Sequence, residues 1–125
     1  MERIEKQMQF ILEIDKEKQI KRKTLQSNGK DFEDDAQHAW HMAIMTLLLS
    51  EYANEKVDVL KTISMLLIHD LVEIDAGDTY AYDDQGLKTQ NERENLAANR
   101  IFNLLPEDQA KKVLHLWNEF EEIRT

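Results

Sequence analysis

The sequence predicts an all-α protein, a bundle of about five helices in one domain. Three observations predict this class. The 125 residues contain only one proline and three glycines, which leaves little room for the turns of an all-β fold. Strand-like alternation of β-branched residues is absent. Apolar residues recur instead at the three- and four-residue spacing of a helix face. A chain of this length suits one domain and can bury a core without disulfides.

The first predicted helix covers residues 3–23. Its apolar positions fall on one face, at Ile4, Met8, Ile11 and Leu12. Residues 25–34 then predict a loop, with Asn28-Gly29 as its turn.

The second and third predicted helices cover residues 35–54 and 57–75. Asp34 and Asp35 suit the cap and first turn of the second helix. That helix is apolar over a broad face, so we expect it to be central. A short polar link joins the two helices, which makes them neighbours. Gly77 ends the third helix.

The last two predicted helices follow a polar loop at residues 77–90. The fourth covers residues 89–105 and ends at Pro106. The fifth begins directly after Pro106, and acidic residues in its first turn suit the helix dipole. Its apolar positions include Val113, Leu114, Leu116, Trp117 and Phe120.

Composition and charge exclude several classes of partner. The net charge of −9 argues against nucleic acid and against an anionic membrane surface. No cysteine is present, so neither a disulfide nor a thiolate metal site can form. The first ten residues lack the apolar stretch of a secretory signal, and no apolar run is long enough to span a membrane. We predict a cytoplasmic protein with a small-molecule partner.

Three residues could bind a divalent metal ion. His38 lies near the start of the second helix, and His69 and Asp70 follow an apolar run on the third. Histidine nitrogens and a carboxylate suit hard or borderline divalent ions. A single histidine in a helix is more often structural, and an adjacent His-Asp pair alone is weak evidence. The combination, followed by Glu73 and Asp78, indicates a metal site between neighbouring helices.

These residues also carry a resemblance to a known family. The segments "QHAWH" at 37–41 and "LLIHDLVEIDAGDTYAYD" at 66–83 resemble the HD-domain metal-dependent phosphohydrolases. The branch that includes the 5′-deoxynucleotidases is the most similar. The resemblance extends over nearly the whole chain, and it implies an HD-domain helical bundle that forms homodimers.

The resemblance implies a role for each matching residue. His38, His69 and Asp70 would be metal ligands. Glu73 would be the acid–base or water-orienting group, and Asp78 a second catalytic carboxylate. A basic residue after the first helix would hold phosphate, which makes Arg22 or Lys23 the candidate, and the fork of Arg22 suits phosphate better.

The chain departs from the family pattern at two points. Gln37 stands where relatives usually have Glu, which is expected to change a contact behind the ligand histidine. The family's last ligand, an Asp on a later helix, would fall beyond Thr125. We therefore expect the single domain at 1–125 to lack the C-terminal helix that carries this ligand. We also expect the fifth helix to expose part of the face formed by Val113, Leu116, Trp117 and Phe120.

The resemblance implies a function, which is metal-dependent hydrolysis of deoxynucleoside 5′-monophosphates to deoxynucleoside and phosphate. The ligand types suit manganese, cobalt, iron, zinc, nickel or magnesium. One alternative is another HD phosphohydrolase that acts on a guanosine alarmone or a cyclic nucleotide. A second alternative is a non-catalytic HD-like binding domain. A stoichiometric divalent ion in the purified protein would favour the enzymes.

Overall fold

Helices dominate the structure, as the sequence predicts. The computed structural model describes residues 1–25, 28–76 and 84–124, with the side chains of 23–25, 84–88 and 124 left aside. In chain order its α-helices are α1 (Arg3–Ile14), α2 (Asp35–Leu49), α3 (Val59–His69), α4 (Glu73–Ala76), α5 (Asp84–Phe102) and α6 (Glu107–Arg124). Short 3-10 segments follow the first three helices, at Asp15–Gln19, Ser50–Tyr52 and Asp70–Val72. The all-α class is confirmed.

The first predicted helix is too long. The helix ends at Ile14, and the chain continues through a 3-10 turn into strand β1 (Lys21–Leu25). This strand pairs antiparallel with β2 (Phe32–Asp34). The predicted turn lies between the strands: the Asn28 side-chain oxygen accepts hydrogen bonds from two backbone N–H groups that follow it, and Gly29 has φ +72°. The hairpin brings Arg22 to the start of α2.

The start of α2 is fixed by a reciprocal cap. The Asp34 carboxylate accepts a 2.8 Å hydrogen bond from the Gln37 backbone N–H, and the Gln37 side-chain oxygen accepts one from the Asp34 N–H at 3.0 Å. His38 is the next residue, so this cap also sets the direction in which the His38 side chain leaves the helix.

The hydrophobic core lies away from α2, which corrects the prediction that α2 is central. Leu71, Val72 and Ala76 pack against α5 and α6, where Ile101 and Phe102 are fully buried. Only Ala39, Ala43 and Asp35 of α2 are buried. The opposite face of α2 carries large exposed apolar residues, including Trp40 at 64% and Leu48 at 64%. The number of apolar residues in α2 does not reveal that the small ones are buried and the large ones exposed. The sequence count therefore could not distinguish α2 from a central helix.

The third predicted helix is broken where the candidate ligands lie. It ends at His69, a 3-10 turn covers Asp70–Val72, and α4 begins at Glu73. A 3-10 turn advances the chain by about 120° per residue rather than about 100°, so it redirects the side chains around Asp70. As predicted, α2 and α3 pack against each other.

The apolar face of α6 is partly covered. Trp117 is buried in the core, while Val113, Leu116 and Phe120 are half-buried. Part of this face is therefore exposed, as expected, and Trp117 is the residue of it that is buried. None of the helices in the described part of the chain combines the length and the apolar composition needed to cross a bilayer.

Candidate functional site

A cavity of about 410 Å³ lies where the hairpin, α2, α3, α5 and α6 meet. Five of the seven predicted site residues line it: Arg22, His38, His69, Asp70 and Glu73. They lie on the hairpin, on α2 and on the continuous segment from α3 to α4. The fold therefore brings together five of the residues that the sequence analysis selected from ligand types and from the family resemblance.

His38 is oriented by a carboxylate that the sequence analysis missed. Nδ1 of His38 lies 2.7 Å from Oε1 of Glu33, at the end of the hairpin. A donor at Nδ1 leaves Nε2 of the neutral ring with its lone pair. Metal-binding histidines commonly have such a carboxylate on the outer nitrogen. Gln37 does not make this contact, because its side chain completes the cap of α2.

His69 lies between two carboxylates. Its Nδ1 is 3.0 Å from Oδ1 of Asp70, and its Nε2 is 3.0 Å from Oε1 of Glu121 on α6. The ring of Phe120 packs against it at 4.4 Å between centroids. These contacts come from both sides of the ring and fix its orientation.

Asp70 is buried close to His69, Arg22 and His38. Burial by itself raises the pKa of this carboxyl, but the hydrogen bond with His69 and the charges of His69, Arg22 and His38 outweigh burial, so its pKa lies below the ordinary value. Nη1 of Arg22 lies 3.9 Å from Asp70 Oδ2. Asp70 is therefore held as a carboxylate, which is the form that binds metal.

The donor set fits a divalent ion. The 3.0 Å between Nδ1 of His69 and Oδ1 of Asp70 is the separation of two neighbouring ligands that are each about 2.1 Å from one ion. His38 lines the same cavity. Among the described residues, no group of three or more His, Asp or Glu side chains is already arranged to hold an ion. The His69–Asp70 pair thus has a spacing that suits one ion.

Arg22 faces three acidic side chains without a close contact to any of them. It lies 3.8 Å from Glu33, 3.7 Å from Asp35 and 3.9 Å from Asp70. Its Nε is buried and has no hydrogen bond. These separations exceed those of charge-assisted hydrogen bonds, so the guanidinium retains donors for an anion in the cavity.

Two further polar residues enter the cavity from α5. The Gln90 amide donates a 2.9 Å hydrogen bond to Glu94, which is buried. Sequence reasoning did not select either residue. A signal existed for Glu94, because it lies in the same helical register as buried Ala97, Ala98 and Ile101. A carboxylate at a core-facing position indicates a polar cavity.

Behind the site lies a further buried carboxyl group, Glu17, in the 3-10 turn after α1. Burial, and then the charges of Asp70, Asp35 and Asp34, raise its pKa to about 8. Its Oε1 is buried and makes no hydrogen bond. The sequence analysis placed Glu17 within the first predicted helix and did not select it.

Two predicted residues cannot be placed in the site. The backbone of Lys23 lies in β1, but its side chain lies outside the described part of the structure. Asp78, together with the rest of residues 77–83, also lies outside the described residues.

Comparison with known proteins agrees with the geometry. The sequence profile described as "HD domain" matches residues 14–125. A solved structure from Magnetospirillum magnetotacticum, named a predicted metal-dependent phosphohydrolase, is 50% identical over 98% of this chain and 61% of its own, with a TM-score of 0.89.

Two curated relatives carry the name 5′-deoxynucleotidase HDDC2. The human protein is 30% identical over 67% of this chain and 40% of its own length. The Dictyostelium discoideum protein is 28% identical over 94% of this chain and 65% of its own. The chain thus spans between two fifths and two thirds of the lengths of these relatives. Since the family profile covers most of the chain, the protein belongs to the HD domain family.

Proposed function

We propose that this protein is a metal-dependent phosphohydrolase with its active site in the 410 Å³ cavity. One observation carries the proposal. The same cavity is lined by donors for a divalent ion (His38, His69 and Asp70), a cation for phosphate (Arg22) and a carboxylate for proton transfer (Glu73). The likeness to the Magnetospirillum protein, which is named for this activity, supports the proposal.

We propose deoxynucleoside 5′-monophosphates as the substrates. The names of the human and Dictyostelium relatives support this class. The cavity volume suits a small molecule. The net charge of −9 disfavours a nucleic-acid polymer. The chain is negative overall, so binding of the phosphate would depend on the local positive charge of Arg22 and the ion.

A divalent ion held by His38, His69 and Asp70 would polarise a phosphate oxygen and lower the pKa of a water molecule. Arg22 would donate hydrogen bonds to the phosphoryl oxygens. Its guanidinium N–H groups are available because Asp35 and Asp70 lie beyond the distance of a close hydrogen bond. Glu73 would accept the proton of the attacking water and return it to the leaving oxygen. We propose Asp78 as a second carboxylate for these transfers and Lys23 as a second phosphate-binding cation.

A phosphate-release assay tests this function. The chelator-treated protein is supplied with Mn²⁺, Co²⁺, Zn²⁺ or Mg²⁺ and with dAMP or AMP. We expect metal-dependent release from dAMP, a loss of about 10²-fold or more in His69→Ala, and no loss in the exposed control His115→Ala. No phosphate release from dAMP, together with hydrolysis of a guanosine alarmone or a cyclic nucleotide seen by chromatography of the nucleotide products, would contradict the substrate class. Absence of metal binding would favour a non-catalytic domain.

A further inference from the structure

Three consecutive residues near the end of α6 contact α3. Lys61 forms a 2.6 Å ion pair with Glu119. Phe120 packs against the ring of His69 at 4.4 Å, tilted by 45°. Glu121 lies 3.0 Å from Nε2 of the same ring. Two of these contacts therefore act on one candidate ligand, while the third joins the same two helices elsewhere.

Both ring nitrogens of His69 face a carboxylate. A carboxylate can only accept, so Nδ1 can donate to Oδ1 of Asp70 and Nε2 to Oε1 of Glu121, each at 3.0 Å. An ion bound beside Asp70 would take the place of the proton on Nδ1, while the N–H on Nε2 would keep its hydrogen bond to Glu121. His38 repeats the arrangement with its nitrogens exchanged, since Glu33 lies at its Nδ1. Each candidate histidine thus has one outward carboxylate, as metal-binding histidines commonly do.

We infer that Glu121 is a positioning residue of the metal centre, which accepts from Nε2 of His69 and holds the ring in the orientation that presents Nδ1 beside Asp70. Glu121 does not itself bind the ion or the substrate. The inference rests on the metal site of the proposed function. No sequence spacing indicates it, because Glu121 is 52 residues from His69 and only the docking of α6 on α3 brings the two together.

Metal titration of four purified proteins tests the inference: wild type, Glu121→Gln, Glu121→Ala and the control Glu119→Gln. Calorimetric titration with Mn²⁺ gives affinity and stoichiometry, and ¹⁵N NMR of the protein with diamagnetic Zn²⁺ bound reports which imidazole nitrogen of His69 carries the proton. Glu119→Gln removes the ion pair between α6 and α3 but leaves the contact with His69, so it separates helix docking from ligand positioning.

We expect one ion per wild-type chain and a loss of affinity of about 10- to 100-fold in Glu121→Ala. Glu121→Gln should bind more weakly than wild type, because an amide is a poorer acceptor than a carboxylate. Glu119→Gln should bind as wild type does. With Zn²⁺ bound, the His69 proton should lie on Nε2 in wild type, and part of it should move to Nδ1 in Glu121→Ala, where the ring can turn and present Nε2 to the ion.

Different results would overturn different claims. Wild-type affinity in both Glu121 variants, or an equal loss in Glu119→Gln, would contradict the positioning role while leaving the metal site in place. Tighter binding in Glu121→Ala would show that Glu121 competes with the ion for His69, which also contradicts it. Absence of Mn²⁺ binding by the wild type would overturn the proposed metal site itself. Since Glu121→Gln is isosteric, it keeps the test valid if the alanine variant does not fold.

Discussion

At the scale of single residues, the site is a set of carboxylates whose environments differ. Asp70 has its pKa lowered despite burial, because His69, His38 and Arg22 stabilise its charge. Glu17 has its pKa raised, because burial and three aspartates oppose its charge. Opposite shifts among neighbouring carboxyl groups are typical of functional sites. Here the lowered pKa keeps Asp70 charged and suited to bind a cation, while the raised pKa keeps Glu17 protonated.

Glu73 provides the first prediction. Its side chain lines the cavity one turn after Asp70, at the start of α4. Glu73→Gln should reduce turnover by about 10²-fold or more, because an amide cannot transfer the proton, while the bound metal stays at the wild-type level. Phosphate release and metal analysis measure the two effects. Glu92→Gln, at an exposed position of α5, is the control. Loss of metal from the Glu73 variant would mean that Glu73 is a ligand.

Glu17 provides a prediction about pH. Its folded pKa is about 8, above the unfolded value of about 4.3. The contribution of the protonated Glu17 side chain to the stability of the fold is therefore fully present below about pH 4. As the pH rises toward 8, the folded chain keeps a proton that the unfolded chain releases, so the free energy of unfolding falls. Partial hydration reduces the effect, and we expect a change on the order of 2 kcal/mol between pH 5 and 8.

Urea unfolding of the chelator-treated protein measures this change, with Glu17→Gln as the matched neutral variant. The difference in stability between the two proteins should shift in favour of the variant as the pH rises from 5 to 8. A difference that stays constant over this range would show that Glu17 titrates normally in the folded protein.

At the scale of elements, the sequence predicted what depends on local signals. Apolar periodicity located the long helices, and residue types located the turn at Asn28-Gly29 and the acidic cap of α2. The break after His69 and the hairpin that carries Arg22 were missed. Residues 15–23 contain good helix formers, so the local sequence favours a helix there. Tertiary contacts, such as the hydrogen bond from the Asp35 N–H to the Ile20 carbonyl, favour the extended chain instead.

The same limit applies to the site. Ligand types and the "HD" spacing indicated His38, His69 and Asp70 from the chain alone. Glu33 and Glu121 contact the candidate ligands from separate elements. A glutamate in a polar segment has no local feature that reveals such a partner. These two residues therefore required the fold, whereas Glu94 has a signal in the helical register of α5.

The cap of α2 gives a prediction at this scale. Asp34→Ala removes the acceptor for the Gln37 N–H and should lower the free energy of unfolding by about 1 kcal/mol. Gln37→Glu keeps a side-chain acceptor at the third helical position, so it should change stability by less than about 0.5 kcal/mol. Urea unfolding measures both variants. Equal losses in the two would indicate that Gln37 has a role beyond the cap.

At the scale of the whole molecule, apolar surface is concentrated on α2. Trp40, Ile44, Leu47 and Leu48 are exposed along one face, and Leu60 of α3 is also exposed. This face carries large apolar side chains in a protein of net charge −9. Contiguous exposed apolar surface commonly marks an interface. The homodimer implied by the family resemblance stays a prediction, and this face is where we expect it to form.

Light scattering after gel filtration measures the mass in solution. We expect a dimer of the 14.8 kDa chain and a shift to the monomer in Leu48→Glu, because a charge on a buried symmetric interface is repeated on both partners. Leu12→Glu, at an exposed position of α1, is the control and should leave the mass unchanged. A monomeric wild type would contradict the prediction.

The central claim is that His38, His69 and Asp70 bind one divalent ion in the cavity that Arg22 and Glu73 also line. Anomalous diffraction from crystals grown with Co²⁺ or Mn²⁺ tests it most directly. We predict one strong peak per chain, at about 2.0–2.3 Å from a nitrogen of each histidine and an oxygen of Asp70. The peak should disappear in Asp70→Asn and remain in His115→Ala. A protein that takes up the metal with its peak elsewhere, or that shows no peak under these conditions, would contradict the claim.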